Sequence, residues 1–330
     1  MEFQRRHLLA AVSAASLAAI ASKAAAQASY PAKPITVIVP FAAGGPTDAL
    51  ARVVCAKMSE ILGQQLVVEN VGGAGGTIGV NKVAKAANDG YTLLFTHMGT
   101  LAVNIALYKS LPYDSQKDLE PIGMGGTNPM VLVAKKDLPA KTFAEFQDYV
   151  KANQKKVQYG MAGIGAASHL GGLMLNSMMK VDVLEIPYKG TGPALNDLVS
   201  GQFDYMVDQA VNVLAQINSG NIKALGVSTL KRLPQLPNVP TIDEAGLKGY
   251  EVTIWNGFFG PKGMSKENIA KINDALVKAI SDPGVVKRLT ELAVDLPTQE
   301  EASPEALRTQ LKASIDKWVP AVKAAGVKPE

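Results

Sequence analysis

Few residues of this chain could do chemistry, and most of them stand just after short apolar runs. Outside the N-terminal segment there are only two histidines, His97 and His169. An enzyme would need a nucleophile, a base and a group that orients the base. Ser168 stands beside His169, but sequence neighbours on a helix do not face each other, so the two make no dyad. No Gly-x-Ser-x-Gly elbow surrounds Ser168, because Ala166 and Leu170 hold the glycine positions. Ser168 is better suited to cap a helix or to donate to a ligand. The two imidazoles could meet across a cleft, yet without a spaced carboxylate they make a poor metal site. Asp48, in the first turn of a helix, has a structural use of its own, since an acid there complements the helix dipole. No catalytic residue, metal or other cofactor is expected.

The elements that position these groups repeat one design. Ile35 to Val39 is a β-branched run that reads as a buried strand, and Pro40 ends it. Gly44-Gly45-Pro46 is turn chemistry, and Thr47 occupies the expected N-cap. Leu50, Val54, Met58 and Ile61 follow at helical spacing as far as Gly63. A strand thus enters the open end of a helix, whose free N–H groups suit an anion. The Gly-Lys-Ser/Thr ending of a phosphate loop is missing, so the anion expected is a carboxylate. An ordinary strand-turn-helix corner would read the same way. Val157 to Met161, the small-residue loop Ala162 to Ala167, and a helix opened by Ser168 repeat the design. His97, Gly99 and Thr100 follow a third strand at the end where open α/β sheets hold ligands. Asp208 falls in a loop after the strand Phe203 to Val207. The glycine loop Gly72 to Gly76 fails the dinucleotide fingerprint, because Ile78 stands where its last glycine belongs.

Residues 1–28 read as an export signal. Arg5 and Arg6 are basic, Leu8 to Ile20 is apolar, and Ala26-Gln27-Ala28 suits cleavage, with Ala28 the expected last residue. A twin-arginine and an ordinary secretory signal remain alternatives. The 330 residues carry a formal charge of +4. The signal removes three positive charges and one negative, which leaves +2, too balanced for a nucleic-acid partner. Cys55 is the single cysteine, so no intrachain disulfide forms, and a small buried hydrophobe is expected. The alternation of strands and helices implies a parallel sheet wound with helices. Two long apolar stretches, Ile122 to Val133 and Val252 to Phe259, are able to cross between domains. Capping boxes open at Thr142 and Thr241. The expected fold is α/β, a two-lobed clamshell of the type II periplasmic kind, with a mostly parallel sheet in each lobe. Residues 29–125 and 252–330 would form lobe I, and 126–251 lobe II.

These residues also carry a family resemblance. Val39-Pro40-Phe41-Ala42-Ala43-Gly44-Gly45-Pro46-Thr47-Asp48 resembles the first ligand loop of the Bug-type receptors, the substrate-binding proteins of tripartite tricarboxylate transporters. Asp89-Gly90-Tyr91-Thr92-Leu93, Ser168-His169-Leu170, Pro187-Tyr188-Lys189-Gly190 and Gly201-Gln202-Phe203-Asp204 are similar to the same family, in the expected order. The resemblance implies a periplasmic clamshell that holds a ligand carboxylate through backbone groups and water. The expected contacts are Phe41, Ala43, Gly44, Gly45, Thr47 and Asp48 on the first loop, and His97, Gly99 and Thr100 on the next. Gly163, Gly165, Ala166, Ala167, Ser168 and His169 complete them, with Asp208 at the family's acidic position. The second loop departs from relatives rich in Ser, Asn and Gly, having alanines and Ile164 instead. With Phe41 and Met98 these imply a carboxylate on an apolar, even aromatic, body. The expected function is a monomeric exported receptor that delivers a small organic carboxylate to a membrane permease or a sensor. The alternative is a periplasmic serine hydrolase or transferase acting on a carboxylate ester. A nucleotide-binding cytoplasmic enzyme is opposed by the signal and the missing fingerprints.

Overall fold

A computed structural model describes residues 30–324 and 329. The export signal and its cleavage position lie outside the described residues. The first strand, β1 (Ile35–Val39), is built wholly of β-branched residues and is almost fully buried. It pairs in parallel with β2 (Leu66–Asn70) and β3 (Thr92–His97). Helices α1 (Pro46–Leu62) and α2 (Thr77–Ala84) make the crossovers. Gly63, in the left-handed conformation at φ 66°, ends α1. A wide helical turn at Gly99–Val103 and the short α3 (Asn104–Leu107) lead into β4 (Leu119–Lys135).

The second unit repeats the winding. It runs through α4 (Phe143–Asn153), β5 (Gln158–Met161), α5 (Ala167–Met179), β6 (Leu184–Pro187) and α6 (Thr191–Val199). Then come β7 (Tyr205–Gln209), α7 (Ala210–Asn218) and β8 (Ile222–Val227). The chain returns along β9 (Thr253–Pro261) and ends in α8 (Lys266–Ile280), α9 (Pro283–Glu291) and α10 (Pro304–Ala324). The strands join in the order β2-β1-β3-β9-β4-β7-β5-β6, with β8 also on β4. β4 pairs with β9 from Leu119 to Pro129, then with β7 and β8 from Met130 onward. Both expected crossings are therefore strands, and they pair with each other. Parallel pairing holds on either side, and the crossing strands add antiparallel pairs, so the sheet is mixed.

One apolar core lies under the first half, where Val37, Leu50, Phe95, Phe258 and Leu276 meet. Cys55 is buried there, and burial pushes its thiol up to about 12. The other core runs from Trp318 and Leu307 through Trp255 on the crossing strand to Tyr159 and Tyr205.

Several helix starts differ from the sequence reading. Gly45, not Thr47, is the N-cap of α1, because Pro46 at the first helical position already has the required φ. Ala166 rather than Ser168 caps α5. Asp208 lies within β7, not in a loop. The box at Thr142 caps α4, whereas the one at Thr241 closes on Glu244 in both directions without a helix following.

Candidate functional site

Four helices begin at one small cavity. Pro46 and Thr47 open α1, Ala167 and Ser168 open α5, Thr191 opens α6, and Gln209 is the N-cap of α7. None of the four caps makes a side-chain hydrogen bond to its helix. First-turn N–H groups are thus left for another acceptor. Each helix also brings a partial positive charge, roughly half a unit, to its start. Among the described residues no Lys or Arg borders the cavity. The positive field comes from the backbone, and an anion is what it suits.

Side chains add directed donors. The Ser168 hydroxyl accepts from the Ala162 N–H at 2.9 Å, which leaves its own proton to give. Its carbonyl accepts from the buried Tyr159 hydroxyl, which fixes the start of α5. His97 ends β3 and stacks on Phe41, ring centres 4.9 Å apart. Its Nδ1 accepts from the Gly99 N–H at 3.0 Å, so the neutral ring carries its proton on Nε2. Burial lowers its pKa to about 3, so this proton stays on a neutral ring across the ordinary pH range. Asp208 is the one carboxylate in the lining. Burial raises its pKa to about 6, against hydrogen bonds from Asn212, Gln209 and Thr191 that lower it. Oδ2 accepts from Asn212 at 2.5 Å, while Oδ1 has no partner among the described residues.

Of the residues singled out from sequence, Phe41, Gly45, Thr47, His97, Ala166, Ala167, Ser168 and Asp208 border the cavity. The others stand off it. Asp48 is fully engaged with the Gly44 N–H, Arg52 and Asn70. Burial raises its pKa, but those bonds outweigh the effect and hold it below the usual value. It braces the loop. Ala43 and Gly44 lie on an outer groove beside Gly192 and Asn212. Gly99 packs against the His97 ring and the Gly165 carbonyl. Thr100 is bound to the Thr96 hydroxyl and the His97 carbonyl. Gly163 and Gly165 shape the second loop at φ 89° and 83°. His169 turns away, accepting from the Gly165 N–H at 3.2 Å with Nε2 4.0 Å from Glu185. Pro46, Ala162, Thr191 and Gln209 also border the cavity and were not singled out. Thr191 carried a signal, a third strand followed by a small-residue loop and a hydroxyl.

The two halves of the sheet meet around this cavity, chiefly through backbone. The Ala42 N–H donates to the Lys189 carbonyl at 3.0 Å, and the Tyr108 hydroxyl to the Ile164 carbonyl at 3.0 Å. The enclosed volume is about 20 Å³, room for about one water molecule. Ile164 is spent on this contact and does not border the cavity. Met98 faces the other side of the sheet, where a more open cavity of about 650 Å³ lies beside Trp255 and Trp318. Glu251, Asp295 and Glu301 line that space against Lys317 alone, a setting that repels an anion. The smaller cavity is the candidate site.

Residues 50–326 match the model of the tripartite tricarboxylate transporter family receptor. The chain belongs to this family. The receptor is similar to the periplasmic binding protein BugD, at 45% identity and TM-score 0.89, covering 91% of this chain and all of that one. It is similar to MatC from Rhodopseudomonas palustris, a structure with bound malate, at 41% identity and TM-score 0.87 over 89% of this chain and all of that one. Rpa4515 from R. palustris, with adipate, is 31% identical at TM-score 0.87, over 92% of this chain and all of that one. These matches bear out the family resemblance and the clamshell fold of periplasmic binding proteins. The family is one of solute-binding receptors, and neighbours in it hold small carboxylates.

Proposed function

We propose that this receptor is exported, captures a small aliphatic carboxylate between the two halves of its sheet, and passes it to a membrane permease without altering it. The observation that carries this reading is the convergence of four helix starts on one buried cavity with no Lys or Arg in its lining. Such a site holds a carboxylate through backbone N–H groups and hydroxyls. The halves, as lobes hinged on β4 and β9, move apart to admit it, since the closed cavity is smaller than any such ligand. Malate in MatC and adipate in Rpa4515 support an aliphatic body. So does the loss of Ile164 and Met98 from the lining, which removes much of the apolar wall that an aromatic ring would need. None of the described helices is long and apolar enough to cross a membrane, which accords with a receptor outside one.

Hydrolysis is disfavoured by the same geometry. Ser168 takes a hydrogen bond from Ala162 and gives none to a histidine among the described residues, and His97 is too weak a base at a pKa of about 3. Thermal unfolding with malate, succinate, adipate, aspartate and benzoate tests the reading. A ligand at about 100 times its Kd adds roughly 2.7 kcal/mol, which raises the midpoint by several degrees. At least one aliphatic acid should do so and be recovered unchanged. No shift with any acid, or release of product from a carboxylate ester, would overturn it.

A further inference from the structure

A row of polar side chains crosses the sheet at the place where the two halves join. His97 on β3 lies opposite Asn256 on β9. On β4 Asn128 lies opposite Ile254, two residues from Asn256 and so on the same face. Met130, two residues on, lies opposite Gln209 on β7. His97, Asn256, Asn128 and Gln209 therefore stand on four neighbouring strands and share one face, none more than 2% exposed. The flanking positions on that face are apolar, among them Phe95, Phe258, Ile254 and Val207.

The amides in the middle of the row are poorly paired. Neither Oδ1 nor Nδ2 of Asn128, nor Oδ1 of Asn256, has a hydrogen-bond partner among the described residues. Asn256 Nδ2 reaches Gln209 Oε1 only at 3.5 Å. Burying unpaired amides costs stability that a leucine of similar size would not cost. The two ends of the row, His97 and Gln209, border the candidate site, as does Asp208 with its own unpaired oxygen. The row is therefore continuous with the site and carries unused donors and acceptors.

We propose that Asn128 and Asn256 form a far subsite that takes the second polar end of a two-ended carboxylate, whose first carboxylate lies at the helix starts. The proposal rests on the carboxylate reading above and adds the requirement for a hydrogen-bonding group at the far end. Asn128 offers two N–H donors and an acceptor, His97 offers Nε2–H, and Asn256 offers an acceptor. An apolar far end would leave them all unpaired, so a plain monocarboxylate of the same length is rejected.

Calorimetric Kd values for succinate, malate, aspartate and butanoate, on the wild type, Asn128→Leu and Asn256→Leu, test this. In the wild type the tightest of the three two-ended acids should bind at least tenfold better than butanoate. Asn128→Leu should narrow that gap to threefold or less with butanoate unchanged, and should unfold at a higher temperature without ligand. Asn256→Leu, which also loses the Gln209 contact, should narrow the gap in the same direction. Equal binding of butanoate by the wild type, or an unchanged gap in both variants, would overturn the subsite and leave the carboxylate reading standing. Failure of all four acids to bind would remove that reading, and the subsite with it.

Discussion

Between about pH 4 and 6 the folded chain keeps a proton on Asp208 that the unfolded chain has already released, because burial lifts this carboxyl from 3.8 to about 6. Its favourable contribution is therefore complete below about pH 4 and is lost as pH rises through 6. Asp208→Asn holds the position neutral at every pH. The variant should unfold at a higher temperature than the wild type at pH 7.5 and at nearly the same temperature at pH 4. The difference is on the order of 3 kcal/mol for a two-unit shift. Thermal scans at the two pH values measure it, and parallel curves for the two proteins would show that Asp208 is no burden when ionised. His97 acts in the opposite direction. Its pKa is held near 3, so the folded chain refuses a proton that the unfolded chain takes up as pH falls below 6.5. Stability then declines toward acid on account of His97 and toward alkali on account of Asp208.

The second loop depends on Gly165. At φ 83° it adopts a conformation that side-chain-bearing residues rarely take, and an added Cβ would stand 1.5 Å from Asn104 Oδ1. Gly165→Ala should cost about 1–3 kcal/mol from the backbone alone, with further loss from displacing Asn104. Urea denaturation should show a lower midpoint with an unchanged slope; full stability would mean that the loop has another conformation available. How much of such an element can be read from sequence depends on where its punctuation lies. The ITVIV run of β1 announces a strand, and the hydroxyls beside small-residue loops announce helix starts, so the starts of α1 and α5 were legible. Thr47 has the side chain usual at a cap, but Pro46 moves the helix start two residues earlier. The start of α7 was missed because Asp208-Gln209-Ala210 carries no glycine or proline. Asp48 is expected as a ligand contact from the family resemblance, and its bracing partner Asn70, remote in sequence on a neighbouring strand, could not be read beside it. His169 reads like His97 in sequence, and only packing shows which of the two imidazoles borders the cavity. That Asn128 and Asn256 share one face depends on the register between β4 and β9, which no local pattern encodes.

For the molecule as a whole, Gly75 of the first half stands against the Ile164 carbonyl of the second, a contact through which the proposed closure would pass. An added Cβ on Gly75 would stand 1.8 Å from that oxygen. Gly75→Ala should therefore fold but fail to shut. Small-angle scattering with the tightest-binding of the acids above should show no compaction, and affinity should fall at least tenfold. Normal compaction of the variant would mean that closure does not pass through this contact. The two halves meet where the Ala42 N–H donates to the Lys189 carbonyl and the Tyr108 hydroxyl to the Ile164 carbonyl, so three of these four groups are main chain. The interior, by contrast, is furnished by side chains such as Ser168, Thr191 and Asp208. Heredity can therefore act on the two separately. On the function proposed above, a lineage could exchange one cargo for another by point changes inside the cavity, while the proposed shutting movement would pass unaltered to every descendant.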